Sequence, residues 1–267
     1  MPETLVFDIE TYRPSSDILR TRREDFDPKR NTIVTVGIFD GKQTSIYPTI
    51  QDLSKEDELV LFFLGKLQQA QNPILIGFNI LHFDVPYMVH KAELFGRKFD
   101  PTMLKPLDLY WILPYWLRNT PTGKEFSKKN PSAGNLWKFE NVVSLILKER
   151  ANPISNRDIQ RLWEAKRFQD IDRHLELDLV NTFSFFKSQP IQESLNHIQK
   201  QTLDKKHCQQ SCPFQRPLSR TYNTAIGYCT LLREPTTKEI EMSPVDAICC
   251  SLPQRDISWV PWCSASQ

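Results

Sequence analysis

Cysteine is missing from the first 207 residues, and all six (Cys208, Cys212, Cys229, Cys249, Cys250 and Cys263) come after that point. No disulfide or thiol cluster can organise the body of the chain, and its two parts are different kinds of sequence. Glycine is scarce, at 8 in 267 residues, and no apolar stretch approaches the length of a membrane span. The N-terminus runs straight into strand-forming residues without a signal-peptide pattern, so a cytoplasmic location and no membrane partner are expected. Strong charge of either sign is also lacking: the formal net charge is +2. Any surface for a polyanion must be local, with candidates in Arg13, Arg20, Arg22, Arg23, Lys29 and Arg30 and in Lys124, Lys128 and Lys129, although such runs are commonly just solvated faces. A 40% hydrophobic and 25% charged composition is that of an ordinary globular protein. The length suffices for one good core plus an appendage, or two small domains.

The chain is organised around residues 5–11, LVFDIET. Leu5, Val6, Phe7 and Ile9 make a run expected of a strand buried on both faces. Asp8 and Glu10 interrupt it two residues apart, so both project to one face. Burying two unpaired like charges costs several kcal/mol or more, so the pair calls for a cation or a basic cluster. Hard divalent ions prefer such oxygen ligands. Two acids solvated at a strand end are the alternative.

Residues 32–39, TIVTVGIF, have strand composition and precede Asp40-Gly41, a two-residue hairpin signal, with a return over residues 43–47. The opening is thus an expected three-stranded antiparallel meander. Ser54 and Asp57 resemble a capping box for a helix with Leu59, Val60, Phe63, Leu64 and Leu67 on its apolar face. ILIGF at 74–78 follows as a strand parallel to the first. Asp84 and Pro86 open the next helix, where Asp84 suits an N-cap. Asp108 lies in a fifth strand or at a helix start. Residues 121–132 look like a polar loop, and residues 135–147 and 157–166 like helices separated by an Asn152-Pro153 turn. A long helix over residues 170–188 carries Leu175, Leu179, Phe183 and Phe186 as its core stripe, and His174 and Asp178 share one of its faces. Periodicity is lost from about residue 199.

The order and contexts of Asp8, Glu10, Asp84 and Asp178 resemble those of the DEDD 3′-5′ exonucleases. VFDIET is similar to their first motif. IGFNILHFDVPY is similar to the second, in the form found in the proofreading domains of family B DNA polymerases and their stand-alone relatives, and HLELDLVNTFSFF is similar to the third. The resemblance covers about residues 1–187. It implies an α/β, ribonuclease H-like fold: a mixed five-stranded sheet flanked by helices over residues 1–190, followed by a Cys-rich extension, 191–267, of unassigned fold. It also implies two divalent cations, Mg²⁺ or Mn²⁺, held by Asp8, Glu10, Asp84 and Asp178, with Asp8 bridging both ions, Glu10 and Asp178 completing the first, and Asp84 acting at the second through water. Two such ions clamp the attacking and leaving oxygens of a phosphodiester.

One position departs from the pattern. A subfamily carries Tyr four residues before the last Asp and another His five before it, whereas His174 stands four before Asp178. At about 100° per residue that is the tyrosine's place, from which His174 can deprotonate or orient the nucleophilic water. A surface His is the alternative. Asn79 and Phe83 are candidates to hold the terminal nucleotide by hydrogen bonding and stacking, and Tyr110, Trp111, Tyr115 and Trp116 for a stacking wall. The tail cysteines and His207 are chemically sufficient for zinc, but no paired knuckle spacing is present. The expected function is a stand-alone 3′-5′ exonuclease acting on nucleic acid, single-stranded DNA or 3′ ends first and RNA second. Its rivals are a structure-specific endonuclease on the same fold and a catalytically silent nucleic-acid-binding module.

Overall fold

The structure, a computed structural model, describes residues 4–13, 30–70, 73–80, 83–97, 105–130, 138–149, 152–155 and 158–202, together with three short strands at 215–217, 227–229 and 235–236. Its centre is β1 (Thr4–Tyr12), and the main sheet adds β2 (Thr32–Phe39), β3 (Thr44–Tyr47), β4 (Ile74–Gly77) and β5 (Lys105–Asp108) in the order β3-β2-β1-β4-β5. The first three strands form the expected antiparallel meander, whereas β1, β4 and β5 run parallel. The turn between β2 and β3 spans four residues rather than two. Asp40 Oδ1 accepts from the Lys42 and Gln43 N–H groups, both at 2.7 Å, and Gly41 takes φ +89°, a conformation that costs glycine least.

Alternation along β1 sorts the molecule into three layers. Leu5, Phe7 and Ile9 face a core completed by α1 (Glu56–Gln69), α2 (Asp84–Leu94) and α6 (Ile159–Glu164). Val6 points the other way, into a second core made with α3 (Leu109–Asn119), α7 (Phe168–Lys187) and α8 (Gln189–Thr202). Asp8 and Glu10 have the parity of Val6 and thus lie on the α7 side. This is the mixed, helix-flanked five-stranded sheet expected from the sequence.

Helix α7 comes unusually close to the sheet. A Cβ at Gly37, the residue paired with Asp8 across β1 and β2, would stand 2.5 Å from Leu179 Cδ1 and 3.0 Å from Leu175 Cδ2. The missing side chain lets Leu175 and Leu179, both fully buried, settle onto the strand, which brings the polar face of α7 down to β1.

Several local expectations are corrected. Ser54 and Asp57 do not cap α1: Asp52 caps a short 3₁₀ turn at Leu53–Lys55 by accepting from Ser54 N, and Asp57 pairs with Arg97. Residues expected to form a loop instead form α4 (Pro121–Lys129), because Thr120 accepts from Gly123 N, Pro121 sits at the first turn, and Phe126 packs on Trp116 with ring centroids 5.1 Å apart. Trp116 is therefore a core residue and no part of a stacking wall; Lys129 pairs with Glu125 at 2.6 Å. The expected boundary at residue 190 falls inside α8, whose Ile191 and Leu195 are buried in the second core. The side chains of the tail cysteines lie outside the described residues.

Candidate active site

Parallel strands β1 and β4 put their carboxyl ends at one edge of the sheet, the usual place for a ligand site in such folds. Asp8 and Glu10 approach this edge on β1, and a register shift between Glu10 and Thr11 marks where the regular ladder with β2 is interrupted. Bulges of this kind re-aim side chains next to active sites. Asp84 arrives from the loop after β4. It does not serve as the N-cap; it occupies the first position of α2 and its Oδ1 accepts from the N–H of Ile9, 3.0 Å away and 75 residues earlier. Asp108 steadies that loop. Fully buried, it accepts from Asn79 N at 2.7 Å and from Tyr110 N at 3.0 Å, tying the end of β4 to the start of α3.

The third contribution is the face of α7 pressed onto β1. His174 Nε2 stands 3.0 Å from Glu10 Oε1 and 3.4 Å from Asp178 Oδ2. Glu10, His174 and Asp178 offer ligand atoms that all lie within 4.8 Å of one another. His174 is 2% exposed and is no surface residue. Asn152, which the sequence marks only as part of an Asn-Pro turn, reaches the same place: its Nδ2 donates to Asp178 Oδ1 at 3.0 Å and lies 2.5 Å from His174 Nδ1. Nothing in its spacing from the other residues could have singled it out.

The electrostatics are those of a site with too many acids. Burial raises the Asp8 carboxyl well above the ordinary range, and the charges of Asp84, Glu10 and Asp178 raise it further. Burial pushes Asp84 to about 7, against hydrogen bonds from Asp8 and the Ile9 N–H that pull it down. Asp178 rises to about 6 through burial, opposed by His174 and the Asn152 amide and assisted by Glu10 and Glu140. Burial disfavours the charged His174 ring, yet contact with Glu10 and the charges of Asp178 and Glu140 outweigh it and raise the ring to about 9. Four carboxyl groups set against one imidazole leave negative charge in excess.

The residues present fit a divalent cation on two grounds. The donors are hard carboxylate oxygens with one imidazole, the set that Mg²⁺ and Mn²⁺ accept. In addition, His174 Nε2 is near Glu10 yet not aligned with it, and so is a buried polar atom lacking a hydrogen-bond partner inside an acidic cluster. Such an atom marks a place where a further group belongs.

Residues 2–102 match the family model of the DNA polymerase family B exonuclease domain. That match takes in β1 to β4 and α2, and with them Asp8, Glu10 and Asp84, but stops before His174 and Asp178. The solved structure of the family B DNA polymerase from the hyperthermophilic archaeon Pyrobaculum calidifontis superposes with a TM-score of 0.51 at 16% identity over 76% of this chain. The exonuclease-like chain corresponds to 25% of that polymerase. No curated protein matches. The resemblance drawn from the three motifs is thus met by an exonuclease-domain match and by the fold, which sets α7, with the third motif, beside the first two.

The two proposed nucleotide contacts lie on the loop that delivers Asp84. Asn79 takes a left-handed conformation, φ 68°, immediately after β4 and Phe78. Phe83 is half-buried and tilted against Tyr87 with ring centroids 4.6 Å apart. Among the described residues no helix is long and apolar enough to cross a membrane.

Proposed function

We propose that this protein is a metal-dependent 3′-5′ exonuclease that acts as a stand-alone enzyme, with single-stranded DNA or 3′ ends as its preferred substrate. The observation that carries this reading is the convergence of Glu10, His174 and Asp178 within 4.8 Å, beside the buried Asp84 that the Ile9 N–H ties to β1. Asp8, Glu10, Asp84 and Asp178 would hold two Mg²⁺ or Mn²⁺ ions, which would neutralise the cluster and supply Lewis acidity to a phosphodiester.

The chain's own groups supply position and proton handling. The Ile9 N–H fixes Asp84, Glu10 is carried on a strand paired on both sides, and α7 brings His174 and Asp178 in as one rigid unit. His174 would meet the attacking water at Nε2, which faces the carboxylates. Asn79 and Phe83, at opposite ends of the loop between β4 and α2, would hold the terminal sugar and base. A silent binding module gains nothing from a buried acidic cluster that repels phosphate, which disfavours that rival.

The test is an oligodeoxynucleotide labelled at its 5′ end, incubated with Mg²⁺ or Mn²⁺. A ladder shortening stepwise, protection by a blocked 3′ end, and loss of cleavage in excess chelator are the expected results. Efficient cutting of circular single strands would favour the endonuclease instead, and a parallel RNA substrate ranks the two nucleic acids.

A further inference from the structure

Asn152 belongs to residues 152–155, between the π-helical turn Val143–Leu147 and α6. Its amide has four neighbours whose chemistry leaves little choice. Nδ2 lies 3.0 Å from Asp178 Oδ1, 3.2 Å from the His174 carbonyl oxygen and 2.5 Å from His174 Nδ1, while Oδ1 accepts from Ile154 N at 3.2 Å. A backbone carbonyl only accepts and a backbone N–H only donates, so the amide cannot be turned round without opposing like groups at both ends. The NH₂ group is therefore fixed toward Asp178 and the His174 ring, with Nδ1 2.5 Å away.

We propose, building on the exonuclease reading of this site, that Asn152 is its positioning residue: the amide clamps Asp178 through Oδ1 and holds the His174 ring so that Nε2 faces Glu10 and Asp178. One amide thereby sets both the carboxylate and the imidazole that α7 brings to β1. Residues 152–155 are themselves anchored, since Ser155 Oγ and N both bond Asp158 Oδ2, at 2.9 and 3.0 Å, and Ile154 packs on the first core. The clamp thus reaches α7 from a braced segment.

The experiment is a Mn²⁺ titration of the full chain by calorimetry, wild type against Asn152→Ala, with the fold of each checked by circular dichroism. The variant should bind Mn²⁺ about 10- to 100-fold more weakly, the usual effect of removing a group that orients a ligand. If Asn152→Ala fails to fold, Asn152→Leu, of similar shape without the amide, takes its place. Unchanged affinity in a folded variant overturns the proposal. On a 5′-labelled oligodeoxynucleotide with saturating Mg²⁺, Asn152→Ala should lower kcat about 10- to 100-fold, with KM changed less than about twofold; an unchanged kcat counts against the clamp. If the wild type cleaves no nucleic acid, the exonuclease reading fails while the Mn²⁺ titration still judges the clamp.

Discussion

Asp84→Asn should make the metal-free protein more stable and the enzyme inactive. The side chain is 3% exposed and makes its bond to the Ile9 N–H through Oδ1. Asparagine keeps that acceptor and offers its NH₂ to Asp8, so the substitution removes charge and leaves the geometry. Burial raises Asp84 from the ordinary 3.8 to about 7, a difference worth about 4 kcal/mol at roughly 1.4 kcal/mol per pH unit. The sign follows from linkage: an acid that binds its proton more tightly when folded stabilises the fold fully below its unfolded value, and this contribution is lost as pH rises through the folded value. For Asp84 the window therefore runs from about 4 to about 7.

Allowing for relaxation and for the interaction with Asp8, Asp84→Asn should gain about 2–4 kcal/mol at pH 8 and roughly a third of that at pH 5, where the wild-type carboxyl is still protonated in the fold but already ionised in the unfolded chain. In a chain of this size that is roughly 5–15 °C in Tm. Thermal melts of both proteins in chelator at the two pH values read it directly. Adding Mn²⁺ to about 100 times its Kd should raise wild-type stability by about 2.7 kcal/mol and raise the variant much less. A variant no more stable than wild type at pH 8, or a gap of the same size at pH 5, would refute the account of a site strained by its own charges.

Asp8→Ala should abolish cleavage in Mg²⁺ or Mn²⁺ while leaving the circular dichroism spectrum and the melt in chelator intact or improved. Gly37→Ala drives a methyl against Leu179 and should cost about 1–3 kcal/mol by overpacking; because it lifts α7 from β1, activity at a temperature where the variant is fully folded should fall as well, and Leu179→Ala in the same chain should restore part of it. Lys91→Met strands the buried Glu56, which keeps only its bond from Ile33 N, and should cost about 3–5 kcal/mol in denaturant melts; adding Glu56→Gln should recover most of the loss.

The parts of this site visible in the sequence are those set by short-range rules. Alternation along LVFDIET predicts that Asp8 and Glu10 share a face, and four-residue spacing on α7 predicts that His174 and Asp178 share one. The parallel pairing of β4 with β1 follows from a strand-helix-strand crossover. Capping was harder to place. Asp52, Ser54 and Asp57 all have side chains able to cap, and which one does depends on where the chain turns after β3. The helix at Pro121–Lys129 was hidden because its stability comes from Thr120 and from Phe126 meeting Trp116, while its own residues are polar and carry a glycine.

What the sequence could not supply was the meeting of faces. His174 is a polar residue next to Leu175 and one turn before Asp178, and nothing local says whether it lies toward solvent or toward β1. The deciding residue is Gly37, 137 positions away on another strand. A glycine in a strand interior ordinarily weakens it; here it is the absence of a side chain under Leu175 and Leu179 that lets α7 lie close enough for His174 Nε2 to come within 3.0 Å of Glu10. The same approach carries Asp178 to the Asn152 amide. The acidic cluster is therefore assembled by an apolar contact on the neighbouring turn of the helix, and the energy that gathers like charges comes from leucines packed against a bare backbone rather than from any attraction among the acids themselves.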